Sequence, residues 1–268
     1  MANPGPFRLA TVVSAYYPIP SKSSIEIYIK LIEGFWPKVS CPLVFFTNPA
    51  LVSTFEKMFS GRPGPTRVIG IAFNELAAFT KLSPYVWLHT QQLDPENGGG
   101  HSPELYATWY EKKEFVQRAI ELNPFDSDRF VWCDAGIGRY PDWTQHLERF
   151  PLSALIPADR MLVLRLAPIE QCEPDANGIR GDFSRGISVG GGILASGVAG
   201  WKSWSKVYDA MLLRYYLADR FIGKDQNIMA SMILENPGLT VLVDPPPCMS
   251  ILQRWFYLLF FLAAVHVA

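Results

Sequence analysis

The sequence is short of cysteine, of charge and of familiar catalytic signatures. It has four cysteines in 268 residues. None lies in a C-x-x-C pair, so a disulfide scaffold is excluded, a zinc site is disfavoured and free thiols are expected. Charged residues are 18% of the chain, below the roughly 25% of an ordinary globular protein. Lys+Arg 24 against Asp+Glu 25 leaves a net charge of −1 with no block of one sign. That balance lacks the basic footprint of a nucleic-acid binder. A Walker loop and an H-E-x-x-H helix are both absent. His89, His101, His146 and His266 form no ligand spacing, and His101, in a glycine-rich stretch, reads as an exposed side chain. Long apolar runs are also missing. From Trp255 to Ala268 there is no Lys, Arg, Asp or Glu, but a bilayer span needs about 20 apolar residues. The segment reads as a buried terminal helix or as a peripheral membrane contact. Residues 1–8 show no secretory apolar core, so a cytoplasmic location is expected.

What is present points to a compact globule. Hydrophobic residues reach 49%, enough to bury a sizeable core. Apolar, β-branched runs at 9–15, 43–46, 67–73, 129–133, 161–166, 187–194 and 239–243 read as strands. Between them lie helical patterns at 25–34, 51–59, 75–82, 202–220 and 225–235. A longer helix is opened by Ser102 as cap and Pro103 at the first position, and is closed by Asn123-Pro124. The glycine-rich stretch 93–102 reads as a mobile surface loop. Alternating strands and helices predict one α/β domain over 1–268, a doubly wound, mostly parallel sheet flanked by helices.

Ligands of open α/β sheets sit beyond the carboxyl ends of the strands. Two strand ends carry chemistry. Ser14-Ala15-Tyr16-Tyr17 offers small residues beside which a ligand can approach the backbone. Phe130 to Cys133 runs into Asp134-Ala135-Gly136, an acid followed by space. Asp134 is either a helix cap or a carboxylate facing a ligand. Lys112 lies on the apolar stripe of Leu105, Trp109, Val116 and Ala119. It either snorkels to water or supplies a cation for phosphate oxygens. Gly190-Gly191-Gly192 is either a phosphate nest or a bend that admits close backbone approach. Cys133, beside Trp132 in a strand, belongs in the core.

Five segments together resemble the HtrL/YibB-like family of bacterial glycosyltransferases: 11–17, 109–112, 123–137, 190–192 and 222–227. The most specific stretch runs from Asn123-Pro124-Phe125 to Trp132-Cys133-Asp134-Ala135-Gly136. The resemblance implies a GT-A-type fold and transfer of a sugar from a nucleotide-diphosphate donor to a glycan or lipid-linked acceptor. It implies that Ser14, Ala15 and Tyr16 contact the nucleotide and Lys112 the diphosphate. Gly190, Gly191, Gly192 and Gln226 would then line the substrate site, with Asp134 and Asp225 catalytic. Asp134 stands where that fold carries an Asp-x-Asp motif for Mn²⁺ or Mg²⁺. Ala135-Gly136 supply no second carboxylate, so a cation would rely on Asp134, phosphate and water, or on a distant ligand such as Asp244. The alternative is a non-catalytic nucleotide- or glycan-binding module of the same fold.

Overall fold

A computed structural model describes residues 8–265, apart from 22, 97, 98, 171, 172 and 182. Cys172, His266 and the last residues of the C-terminal segment lie outside the described residues. Seven strands form one sheet: β1 Thr11–Tyr16, β2 Leu43–Thr47, β3 Thr66–Gly70, β4 Arg129–Cys133, β5 Met161–Arg165, β6 Val189–Gly197 and β7 Thr240–Val243. Their spatial order is β3-β2-β1-β4-β6-β5-β7. Every expected strand is present, each within a few residues of its apolar run. Only β6 runs against its neighbours, pairing antiparallel with both β4 and β5. The remaining strands are mutually parallel, and β1 is buried along its whole length. Covering by helices on both faces explains why its sequence is continuously apolar rather than alternating.

The pleat sends Val13, Ala15 and Tyr17 to one face and Val12 and Tyr16 to the other. The first face packs under α3 Ala77–Thr80, α4 Pro84–Gln92, α5 Pro103–Leu122, α6 Val198–Leu217 and α7 Asp225–Glu235. The second is covered by α1 Ile25–Phe35, α2 Val52–Phe59 and α9 Tyr257–Leu262, which the short helix α8 Ile251–Trp255 precedes. Leu258, Leu259 and Leu262 insert into this second core, as the reading of a buried terminal helix expects. Among the described residues no helix is long and apolar enough to cross a membrane.

Two expectations are corrected. The helix expected over 75–82 is one turn, followed by α4, whose Ser83 cap and Pro84 repeat the signal that opens α5. The loop around 93–102 is not simply a surface loop. Asp94 and His101 are buried. The His101 Nδ1 lies 2.6 Å from Asp94 Oδ2, which also accepts from the Tyr106 hydroxyl at 2.6 Å. His101 is therefore an interior side chain, held by a carboxylate and a phenol that the local sequence does not place beside it.

Candidate functional site

The described part of α5 carries four consecutive charged residues that are all buried: Glu111, Lys112, Lys113 and Glu114. Each is paired, as burial requires. The Glu111 carboxylate accepts from the backbone of Ala77 and Ala78, at 3.0 and 2.8 Å, capping α3. Lys113 and Glu114 pair with each other and with Asp209 and Lys81. Lys112 points the other way, to where β4 ends and β6 begins.

There the Lys112 ammonium donates to Gly191 O at 2.9 Å. It also lies 2.9 Å from Asp225 Oδ2 and 3.2 Å from Asp134 Oδ1. The side chains of Lys112 and Asp225 are 8% exposed, that of Asp134 40%. Asp134 Oδ1 also accepts from the Trp132 indole at 2.7 Å. Asp225 opens α7, and its Oδ1 accepts from the Gln226 backbone at 2.9 Å. Burial opposes the charge on Lys112, but Asp134 and Asp225 outweigh it and hold the ammonium above the ordinary lysine pKa. Burial pushes Asp225 above the ordinary aspartate value, and Lys112 restrains part of that rise.

The glycines make this triplet fit. The β5–β6 pairing slips between Val163 and Leu164, so Gly191 and Gly192 leave the ladder beside the carboxylates. A Cβ on Gly191 would stand 2.7 Å from Asp225 Oδ2, and one on Gly192 3.5 Å from Asp134 Oδ2. The triple glycine thus admits close approach, the second of its two sequence readings. A G-x-S-x-G spelling at Gly186–Gly190 is no nucleophile elbow. Ser188 precedes a strand instead of turning from strand to helix, and its hydroxyl reaches the Pro168 carbonyl at 3.4 Å.

A cleft of about 290 Å³ opens over the triplet. Of the residues singled out from sequence, it gathers Lys112, Asp134, Asp225, Gln226, Gly191 and Gly192. Ala15 and Tyr16 line it as well. Ser14 does not: it is fully buried, with no hydrogen-bond partner for its hydroxyl among the described residues. Gly190 also lies outside the lining, packed on Leu164. Gln226 turns its side-chain amide to Val189 O at 2.7 Å. Lys112 neither snorkels nor stands as a free cation, because two carboxylates already neutralise it. Sequence reasoning passed over Tyr28, Arg139 and Phe256, which also line the cleft, and read Trp109 as part of a helix stripe and Trp255 as the start of the terminal segment, though both line it too. Arg139 is exposed and forms no ion pair among the described residues. Its place six residues after β4 was a usable signal.

Among the described residues, no group of three His, Cys, Asp or Glu is arranged to hold a metal ion. Asp244, the distant ligand considered from sequence, is engaged by Arg165 at 2.6 Å. Lys112 takes one oxygen of each carboxylate and the Gln226 backbone takes Asp225 Oδ1, which leaves Asp134 Oδ2 without a hydrogen bond or ion pair among the described residues.

No family model matches the chain, and no curated protein matches it. Among solved structures, it is similar to the apo crystal structure of mouse xyloside xylosyltransferase 1. The match covers 92% of this chain and 93% of that one, with a TM-score of 0.51 and 10% sequence identity. The chain has a GT-A-like α/β fold. At that identity the likeness is one of fold.

Proposed function

We propose that the chain is a glycosyltransferase that uses a nucleotide-diphosphate sugar. The observation that carries this reading is the Asp134–Lys112–Asp225 triplet at the floor of a cleft where the sheet's strand ends meet. Supporting it, the fold is one found in a xylosyltransferase. The Tyr16 hydroxyl is buried without a partner among the described residues, and its ring stands 6.0 Å from that of Tyr28. Tyr16 and Tyr28 both line the cleft and supply an aromatic wall for a nucleoside.

Arg139, rather than the paired Lys112, would meet the diphosphate's charge, together with a divalent cation that Asp134 would hold. Asp134 Oδ2 fits such a cation, since Mg²⁺ commonly binds through one or two carboxylates and completes its shell with phosphate and water. The cation, when bound, neutralises the charge that develops on the departing nucleoside diphosphate. Lys112 has a different task. It holds two carboxylates at fixed positions, so neither needs to reorganise when substrate arrives. Asp225, with its raised pKa, accepts a hydroxyl of the sugar or of the acceptor. The acceptor is a glycan or a lipid-linked molecule.

The test is release of nucleoside diphosphate and formation of product across a donor panel. Asp134→Asn and Asp225→Asn each lower turnover by about 10²-fold or more, with the circular dichroism spectrum unchanged. Full activity in both variants contradicts the site assignment.

A further inference from the structure

At about 290 Å³, the cleft lies at the low end of small-molecule sites, which span roughly 300–1,000 Å³. A nucleotide sugar fills that space, so a second substrate enters with its reacting end alone and leaves the rest on the rim. On the side built by α8 the rim is apolar. Trp255 and Phe256 line the cleft. Ile251 lies one turn before Trp255, with Leu252 alongside, so the three share a helix face. Ile251 is 78% exposed, Leu252 57% and Trp255 37%. Ile25, at the start of α1, lines the same cleft and is 48% exposed. The element presenting this face is fixed. Ser250 and Gln253 form a reciprocal capping box at its start, and α9 anchors its end in the core.

Apart from Trp255, which lines the cleft itself, this face is built of the branched alkyl side chains of Ile251, Leu252 and Ile25, which make no hydrogen bonds to hydroxyls and offer no flat surface for a sugar ring. They pack against alkyl chains, and an apolar face continuous with a reaction cleft marks what that cleft receives. We propose that this face takes the hydrocarbon part of an amphiphilic acceptor whose hydroxyl end enters the cleft. This rests on the glycosyltransferase reading and names its acceptor class.

The probes are hexyl, octyl and decyl β-glucosides, each titrated calorimetrically into the full chain below its critical micelle concentration. Binding strengthens by up to about fourfold per added methylene that the face buries. The double variant Ile251→Ser/Leu252→Ser loses that dependence while melting like the wild type. Affinity independent of chain length, or unchanged in the variant, overturns the proposal. So does a wild-type dimer in sedimentation that the variant abolishes, because a second copy then covers the face. Nucleoside diphosphates are titrated separately. Chain-length-dependent binding in a protein that binds no nucleotide overturns the acceptor role, whereas nucleotide binding without chain-length dependence overturns this proposal alone.

Discussion

Replacing Lys112 by Met removes one positive charge from between two carboxylates and keeps the length of the side chain. At separations of 2.9 and 3.2 Å, an effective dielectric of about 20 gives gross attractions of about 6 and about 5 kcal/mol. The second is discounted because Asp134 is 40% exposed and screened by water. Desolvating Lys112 and Asp225 offsets several kcal/mol more, so the net cost of breaking the buried cluster is about 3–5 kcal/mol. The cost depends on pH. Without Lys112 the folded state holds a proton on Asp225 where the unfolded chain, at the ordinary aspartate value, has lost it. The native state then binds more protons, and the variant's stability falls as pH rises. Wild type shows the same sign more weakly, because Lys112 restrains the rise at Asp225. Urea unfolding between pH 4.5 and 8 reads this directly. The gap between wild type and variant widens with pH and reaches about 3–5 kcal/mol at the alkaline end. Adding Asp225→Asn to Lys112→Met recovers most of it, since both partners are then uncharged. A gap below about 1 kcal/mol, the range of an exposed pair, or one that does not change with pH, refutes the reasoning.

Two further outcomes follow from the same geometry. Burial pushes Glu111 up to about 7, so the folded state holds its proton more tightly than the unfolded chain. Stability from this group is present at low pH and is lost between about pH 4.5 and about 7. Glu111→Gln flattens that part of the stability–pH curve, whose amplitude is about 3 kcal/mol; an unchanged slope contradicts the assignment. Gly191→Ala puts a methyl 2.7 Å from Asp225 Oδ2, which forces the carboxylate aside at a cost of about 1–3 kcal/mol. It lowers sugar transfer as well as stability, and a variant that transfers sugar like wild type shows that Asp225 does not need its position.

Much of this molecule was legible in its sequence, for identifiable reasons. Strands covered on both faces are continuous apolar runs, so all seven were visible, and α7 began and ended as its pattern indicated. Strand direction is not written in such runs, and the reversal of β6 came only with the pairing. In the site, Asp134 was identifiable because it is a charge followed by small residues at the end of an apolar strand, Lys112 because it falls on the apolar stripe of its helix, and Asp225 only through the family resemblance. Their mutual pairing was not, because it joins three separate elements, α5, the end of β4 and the start of α7, and Lys112 and Asp225 stand 113 residues apart in the chain. A similar separation hid the ion pair of Lys224 with Glu96. The interior placement of His101 was hidden differently. A glycine-rich loop looks solvent-exposed until Asp94 and Tyr106 are seen to close around it.

The central claim is that the cleft over Asp134, Lys112 and Asp225 binds a nucleoside diphosphate. Thermal-shift titration with UDP, GDP, CDP and ADP, each with and without Mn²⁺ or Mg²⁺, tests it most directly, because a ligand bound only by the folded state raises the melting temperature by mass action. The account predicts a shift for one nucleotide, strengthened by the metal ion and lost in Asp134→Asn. No shift with any nucleotide under either condition, or a shift that Asp134→Asn leaves intact, contradicts it.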